Sequence, residues 1–223
     1  MSKQSVLEHL DAFPLMGEPL TPMNSVAIAL EASNQEAAKA FAESTETACA
    51  YIDNYLAEKG KQYAYGGYLE DRSALYSRSP HFVNEKGEAR CIHLGTDIWT
   101  SAGAPIYAPL DARIHSFANN EGFGNYGPTL ILEHQNQGEP FFTLYGHLSL
   151  SDMQNWEVGK PIQKGELIAH LGAPEENIGW PPHLHFQIIS DMKNYQGDFP
   201  GVCYPSEVGE FVWELFLVND DHH

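Results

Sequence analysis

From about residue 61 to residue 195 the chain is written in short apolar runs of period two, each closed by glycine, proline or another turn residue. Runs of four to eight residues with that alternation suit half-buried strands and are too short for helices. Candidate strands are 105–108, 112–117, 129–134, 141–148, 166–171 and 183–189. No helical segment separates them, so the pattern predicts an antiparallel β sheet or sandwich and excludes alternating βαβ units. The fold class expected is mainly β, with an added N-terminal helix.

That helix is expected over 34–59. Asn34 is a suitable N-cap and Gly60 a suitable stop, and Ala38, Phe41, Ala42, Thr45, Cys49, Ile52 and Leu56 recur at three- and four-residue steps on one face. Cys49 is expected to be buried on it. Three regions follow: an N-terminal helical extension over 1–60, a β domain over 61–195, and a closing segment over 196–223 that packs on the core. An apolar stretch, 211–218, lies near the end of the last.

Charge narrows the partners. Twelve Lys and Arg stand against 30 Asp and Glu, a formal charge of −18, which repels phosphate backbones and anionic lipid. Nucleic acid is not an expected partner. No run approaches the roughly 20 apolar residues of a membrane span. Glu8, Asp11 and Glu18 interrupt the place where the apolar core of a secretory leader would lie. A cytoplasmic location is therefore expected, or a periplasmic or extracellular one if a leader has been removed. Cys49, Cys91 and Cys203 are widely spaced and odd in number, giving neither a disulfide framework nor a CxxC metal site.

Gly122-Phe-Gly-Asn-Tyr-Gly127 satisfies GxGxxG, but Pro128 follows at once and a candidate strand lies on either side. A dinucleotide site needs a helix after the glycines. The segment reads as a glycine-rich hairpin.

The histidines are more informative. His93-Leu-Gly-Thr-Asp97 sets an imidazole four residues from a carboxylate, and His183-Leu-His185 sets two imidazoles two apart. In a strand, residues two apart share a face, so His183, His185 and Gln187 point one way and Leu184, Phe186 and Ile188 the other. By the same alternation Phe141, Thr143, Tyr145 and His147 share a face. Neutral imidazoles and carboxylates are good zinc ligands, and three of them with a position left for water form a catalytic site. HxxxD supplies two candidates and HxH one or two more. His9, His81, His115, His134, His170, His222 and His223 lack such partners and read as ordinary surface or core residues.

Taken in order, HLGTD, AGAPIYAPLDARI, TLYGHLS, VGKPIQKGELIAHLG and HLHFQI resemble the lysostaphin-like zinc metallopeptidases, a family that includes lysostaphin, LytM and the β-lytic peptidases. The resemblance covers residues 91–189. It implies an antiparallel β sandwich with a groove across one sheet. It implies one zinc ion held by His93, Asp97 and His185, with His147 and His183 in acid–base work and transition-state stabilisation; which of these two is the base stays open. The implied activity is hydrolysis of peptide bonds, typically in peptidoglycan cross-bridges or stem peptides. The approach to HLHF departs from the family's Gly/Ser/Thr-rich pattern. Here it is Ala173-Pro-Glu-Glu-Asn-Ile-Gly-Trp-Pro-Pro182, expected to form a groove wall. The stretch Tyr65-Gly-Gly-Tyr-Leu-Glu-Asp-Arg72 resembles a subgroup found joined to aminotransferase-like and kinase-like domains in intracellular proteins.

Two other readings remain. Some relatives lose ligands and act as regulators, so a non-catalytic peptide-binding module retaining a zinc site is the alternative. Glucose-type sugar phosphocarriers share an HFGxD motif, but there the AP-DG turn precedes it. Here HLGTD precedes APLDA and HLHF has no counterpart.

Overall fold

The computed structural model describes residues 10–76, 90–122 and 124–211. His9, His81, His222, His223 and nearly all of the apolar 211–218 stretch lie outside these. An eight-stranded sheet dominates. Its members are β1 (Ser25–Ala27), β2 (Tyr63–Gly66), β4 (Thr96–Trp99), β6 (Ala112–Asn120), β7 (Gly127–Asn136), β8 (Glu139–Gly146), β9 (Pro161–Ile162) and β11 (His183–Ile189). They run in the order β1-β2-β4-β11-β8-β7-β6-β9. All neighbours are antiparallel except β1 and β2 at one edge. Two short ladders complete the β structure: β5 (Pro105–Tyr107) with β10 (Leu167–His170), and β3 (Ile92–His93) with β12 (Val202–Cys203).

Alternation decides how the layers pack. Leu130, Leu132, Tyr145, Leu184 and Phe186 project from one face of the large sheet. They meet Ile106, Ala108, Ile168, Ala169 and Leu171 of the β5–β10 layer, with Leu15 and Met16 from the N-terminal segment. The sandwich is lopsided, a wide sheet against a two-stranded one. Ile131, Leu144 and Ile189 project from the opposite face and are covered by Met192 and Phe199. The central strands are thus apolar on both faces over part of their length, which fixes their register, because a one-residue slip would exchange the two sets.

The predicted single helix is two: α1 (Gln35–Glu43) and α2 (Thr45–Lys59). Asn34 does cap the first, accepting from the Ala37 N–H, and Gly60 ends the second in the left-handed conformation. Between them Ser44 is fully extended, at φ −163° and ψ 169°, and forms a reciprocal capping box with Thr47. Two residues that prefer caps to helix interiors thus satisfy the orphan N–H groups and redirect the chain. The break turns Ala37 and Ile52 inward against Leu30, Ala64 and Trp99, while Cys49 is only half-buried.

The 122–127 segment is a hairpin loop, joining β6 to β7 with Asn120 opposite Gly127. Among the described residues no helix is long and apolar enough to cross a membrane.

Candidate active site

Strand β11 enters the site between β4 and β8, with His185 opposite Asp97 on one side and Gly146 on the other. The predicted face is present: Leu184 and Phe186 are in the core, and His183, His185 and Gln187 face away from it, all buried. His93 and Asp97 arrive from β3 and β4 on either side of Gly95. A Cβ at Gly95 would stand 2.5 Å from His185 Cε1 and 2.6 Å from its Nε2, so the motif's glycine is what lets the two segments close on each other.

His93 Nε2, His185 Nδ1 and one Asp97 oxygen lie within 4.8 Å of one another. Nε2 of His93 is 2.9 Å from Nδ1 of His185, and Asp97 Oδ1 is 3.4 Å from the first and 3.2 Å from the second. The outer contacts of the rings set their tautomers. His93 Nδ1 is 2.8 Å from the Gly67 carbonyl, so it carries the proton and donates. His185 Nε2 lies 3.2 Å from Gln187 Oε1, whose amide is oriented by donation to the Pro200 carbonyl. With both outer nitrogens donating, both inner nitrogens present lone pairs. Apart from the approach of His185 Nδ1, Asp97 Oδ1 meets no hydrogen-bond donor among the described residues. Three acceptors converging in a buried site repel one another unless a cation sits among them, and nitrogen and carboxylate donors suit a divalent transition-type metal.

Electrostatics agree. Burial opposes ionisation of Asp97, yet the His93 imidazole and the Arg72 guanidinium hold its carboxyl well below the usual carboxylate range. Burial, reinforced by the Arg72 charge, pushes His93 well below the ordinary imidazole value. The ligand-competent forms, carboxylate and neutral imidazole, are those the site favours.

His183 and His147 stand beside this cluster with ring centroids 4.1 Å apart. His183 Nδ1 donates to the Pro181 carbonyl at 2.7 Å, and its Nε2 lies 3.9 Å from Asp97 Oδ1. Burial lowers the pKa of both; for His147 the neighbouring His183 and His185 lower it further. The strand alternation expected for His147 does not hold. Strand β8 ends at Gly146, and His147 adopts φ +62°, a left-handed conformation uncommon outside glycine. Tyr145 stays in the core with Phe186, while His147 turns across to His183 on the other face. Such strain persists where surrounding contacts fix it: His147 N–H donates to the Tyr126 carbonyl and its own carbonyl accepts from Gly172.

A cavity of about 700 Å³ opens over these five residues. Of the 173–182 segment, expected to form a groove wall, Trp180 lines the cavity. Trp180 stands 6.3 Å from His147 and 6.4 Å from His183, and Phe41 of α1 backs it at 6.2 Å. Three contributors went unrecognised in the sequence. Tyr126, from the glycine-rich hairpin, packs 4.9 Å from the His185 ring and donates to the Phe199 carbonyl. Arg72 reaches Asp97 Oδ2, and Glu70 reaches Arg72. The remaining described histidines do not join the site: His134 is buried against Thr143, and His170 pairs with Asp152.

Residues 91–196 match the profile described as Peptidase family M23. This segment is a member of peptidase family M23, the LytM and lysostaphin-like metallopeptidases. The chain is 35% identical over 95 residues to an uncharacterized metalloprotease of Haemophilus influenzae, covering 43% of this chain and 18% of that protein. It is 34% identical over 97 residues to the peptidoglycan DD-endopeptidase ShyB of Vibrio cholerae, covering 44% and 20%. The chain thus spans about a fifth of the length of these relatives. Among solved structures it is similar to a zinc-containing peptidase from Vibrio cholerae, at TM-score 0.38 and 28% identity over 51% of this chain and 32% of that one. It is also similar to the catalytic domain of lysostaphin from Staphylococcus simulans, at TM-score 0.39 and 22% identity over 73% and 97%.

Proposed function

We propose that the chain is a zinc-dependent metalloendopeptidase. Its metal ligands in this reading are His93 Nε2, Asp97 Oδ1 and His185 Nδ1, and its acid–base residues are His147 and His183. The observation that carries it is the convergence of two imidazole nitrogens and a carboxylate oxygen, all buried, at the floor of an open cavity. A zinc ion there would act as a Lewis acid, acidifying water and polarising a peptide carbonyl. The chain's own groups handle the proton. His183 Nε2, its lone pair left free by the bond from Nδ1 to Pro181, accepts the proton of the attacking water. As the C–N bond breaks, that proton passes to the departing amine. His147, packed beside His183, hydrogen-bonds the carbonyl oxygen as negative charge develops on it. Trp180 and the walls around it hold the substrate backbone across the cavity.

Peptidoglycan cross-bridge or stem peptides are the substrate class proposed, supported by the relative described as a peptidoglycan DD-endopeptidase and by the motif order. Such a substrate puts the site of action outside the cytoplasmic membrane, against the cytoplasmic location expected from the N-terminal residues. The alternative of a non-catalytic peptide-binding module is less favoured, because all five residues are present and face one cavity.

The test is elemental analysis of the purified protein beside D97A and H185A, with release of new amine from muropeptide dimers as the activity readout. One zinc per chain and amine release, both lost in the variants, is the expected result. Protein that holds zinc and binds muropeptides yet releases no amine would support the binding module. Protein that takes up no zinc would refute the metal site.

A further inference from the structure

The matched family segment begins at residue 91, yet the outer contacts of two of the three metal-ligand candidates come from upstream of it. Arg72 is buried, and its Nη1 donates to Asp97 Oδ2 at 2.5 Å. Its Nε donates to Glu70 Oε2 at 3.2 Å, and its guanidinium lies over the Trp99 ring, 5.7 Å from the centroid. One planar cation is therefore gripped by two carboxylates and an aromatic face. Glu70 is anchored in turn by the Leu30 N–H, which donates to Oε1 at 3.2 Å. The same short segment frames His93: Gly67 offers its carbonyl to Nδ1, Glu70 its carbonyl to the His93 N–H, and Leu69 N–H donates to the His93 carbonyl. Gly67, at φ +97°, has no room for a side chain, since a Cβ would run into Arg72 Nη2 and stand 3.0 Å from His93 Nδ1.

We infer that Arg72 is the positioning residue of the metal centre. By occupying Oδ2 it fixes the Asp97 carboxylate plane and leaves Oδ1 turned toward His93 and His185; Glu70 aims the guanidinium, and through Leu30 ties it to the N-terminal extension. The inference rests on the proposed metal site and deepens it. Lysine cannot substitute fully. A point charge on a flexible stem can reach one carboxylate, whereas the fork spans Asp97 and Glu70 at once. Partners that orient metal ligands commonly set affinity by about 10–100-fold.

The experiment compares wild-type protein with R72M, R72K and E70Q. Zinc affinity is read by competition with a chelating dye, ligand geometry by the visible spectrum of the cobalt(II)-substituted protein, and integrity of the fold by circular dichroism and apo-protein melting. The expected result is a loss of about 10–100-fold in zinc affinity in R72M with altered cobalt bands, partial recovery in R72K, and a smaller loss in E70Q. A purely structural role would lower the melting temperature and leave the cobalt bands of the metal-loaded protein where they are; that outcome overturns the inference. Should R72M fail to fold, R72K decides: a folded R72K with wild-type affinity and spectrum overturns it. Wild-type protein that takes up no zinc overturns the metal site itself and the positioning role with it. Zinc held equally by wild type and R72M overturns the positioning role alone.

Discussion

Gly95→Ala tests the packing on which the site depends. The added Cβ would sit 2.5 Å from His185 Cε1, 2.6 Å from Nε2 and 2.9 Å from the Phe186 carbonyl oxygen. Ordinary contact begins near 3.4 Å, so the imidazole must retreat by about 0.9 Å. It has nowhere to go without cost. Its backbone is paired on both sides, Nε2 is held by Gln187, and Tyr126 packs against the ring. Forcing one methyl into a filled interior costs about 1–3 kcal/mol of stability. The functional loss should be larger, because a shift of about 1 Å at a reacting centre can cost about 100-fold in rate. Zinc affinity and kcat/KM on a muropeptide dimer are measured beside Gly209→Ala, a helical position where an added Cβ meets nothing within 4 Å. G95A should fall by one to two orders of magnitude in both quantities while G209A stays at wild type. A folded G95A with wild-type affinity and kcat/KM would refute the claim that this glycine sets the approach of His185 to the HLGTD segment.

Three further outcomes are expected. Burial lowers the His134 pKa from 6.5 to about 4, so the folded protein binds fewer protons than the unfolded chain between those values; His134 contributes roughly 3 kcal/mol above pH 6.5 that is lost as pH falls toward 4. Urea titrations of wild type and His134→Gln at pH 7 and pH 4.5 check this, and equal losses in the two proteins would contradict it. Trp180→Ala and Phe41→Ala should each raise KM by about 3–10-fold, the worth of an aromatic contact, with less change in kcat; an unchanged KM in both would remove the aromatic wall from substrate binding. A fragment restricted to 91–196 should lose cooperative unfolding and bind zinc far more weakly than the full chain, as chelator competition would show, because it lacks β2, Gly67 and Arg72.

What was legible in the sequence follows the physics of each signal. His183, His185 and Gln187 could be placed on one face because β11 is seven residues long and regular, so alternation has room to operate. The same rule misplaced His147, since one left-handed residue at a strand end reverses the side-chain direction. Strands β3, β9 and β12 have two residues each, and no period can be read from two. The helix break at Ser44 was available as a serine and threonine three apart, but the apolar repeat continues through it and hides it. Arg72 and Glu70 carried no local signal: their importance comes from a carboxylate 25 residues away that only chain closure brings near.

The division between matched segment and upstream chain has a physical basis. A metal site needs ligands of fixed chemistry at fixed spacing, and those constraints are local enough to be written as HxxxD and HxH. Holding the ligands still requires only that something donate to Asp97 Oδ2 and accept from His93 Nδ1, and many backbones can do that. Here the task falls to Gly67–Arg72, whose backbone is in turn steadied by β2 beside β4 and by the Ala32 N–H on the Asp71 carbonyl, while Leu30 N–H holds the Glu70 carboxylate. That extension also supplies Phe41 behind Trp180, and Thr45 donates to the Gly179 carbonyl in the same wall. One appended element thus touches both the rear of the proposed metal centre and the side of the cavity. A change in its packing would reach the proposed ligands through Glu70 and Arg72, and the cavity through Trp180.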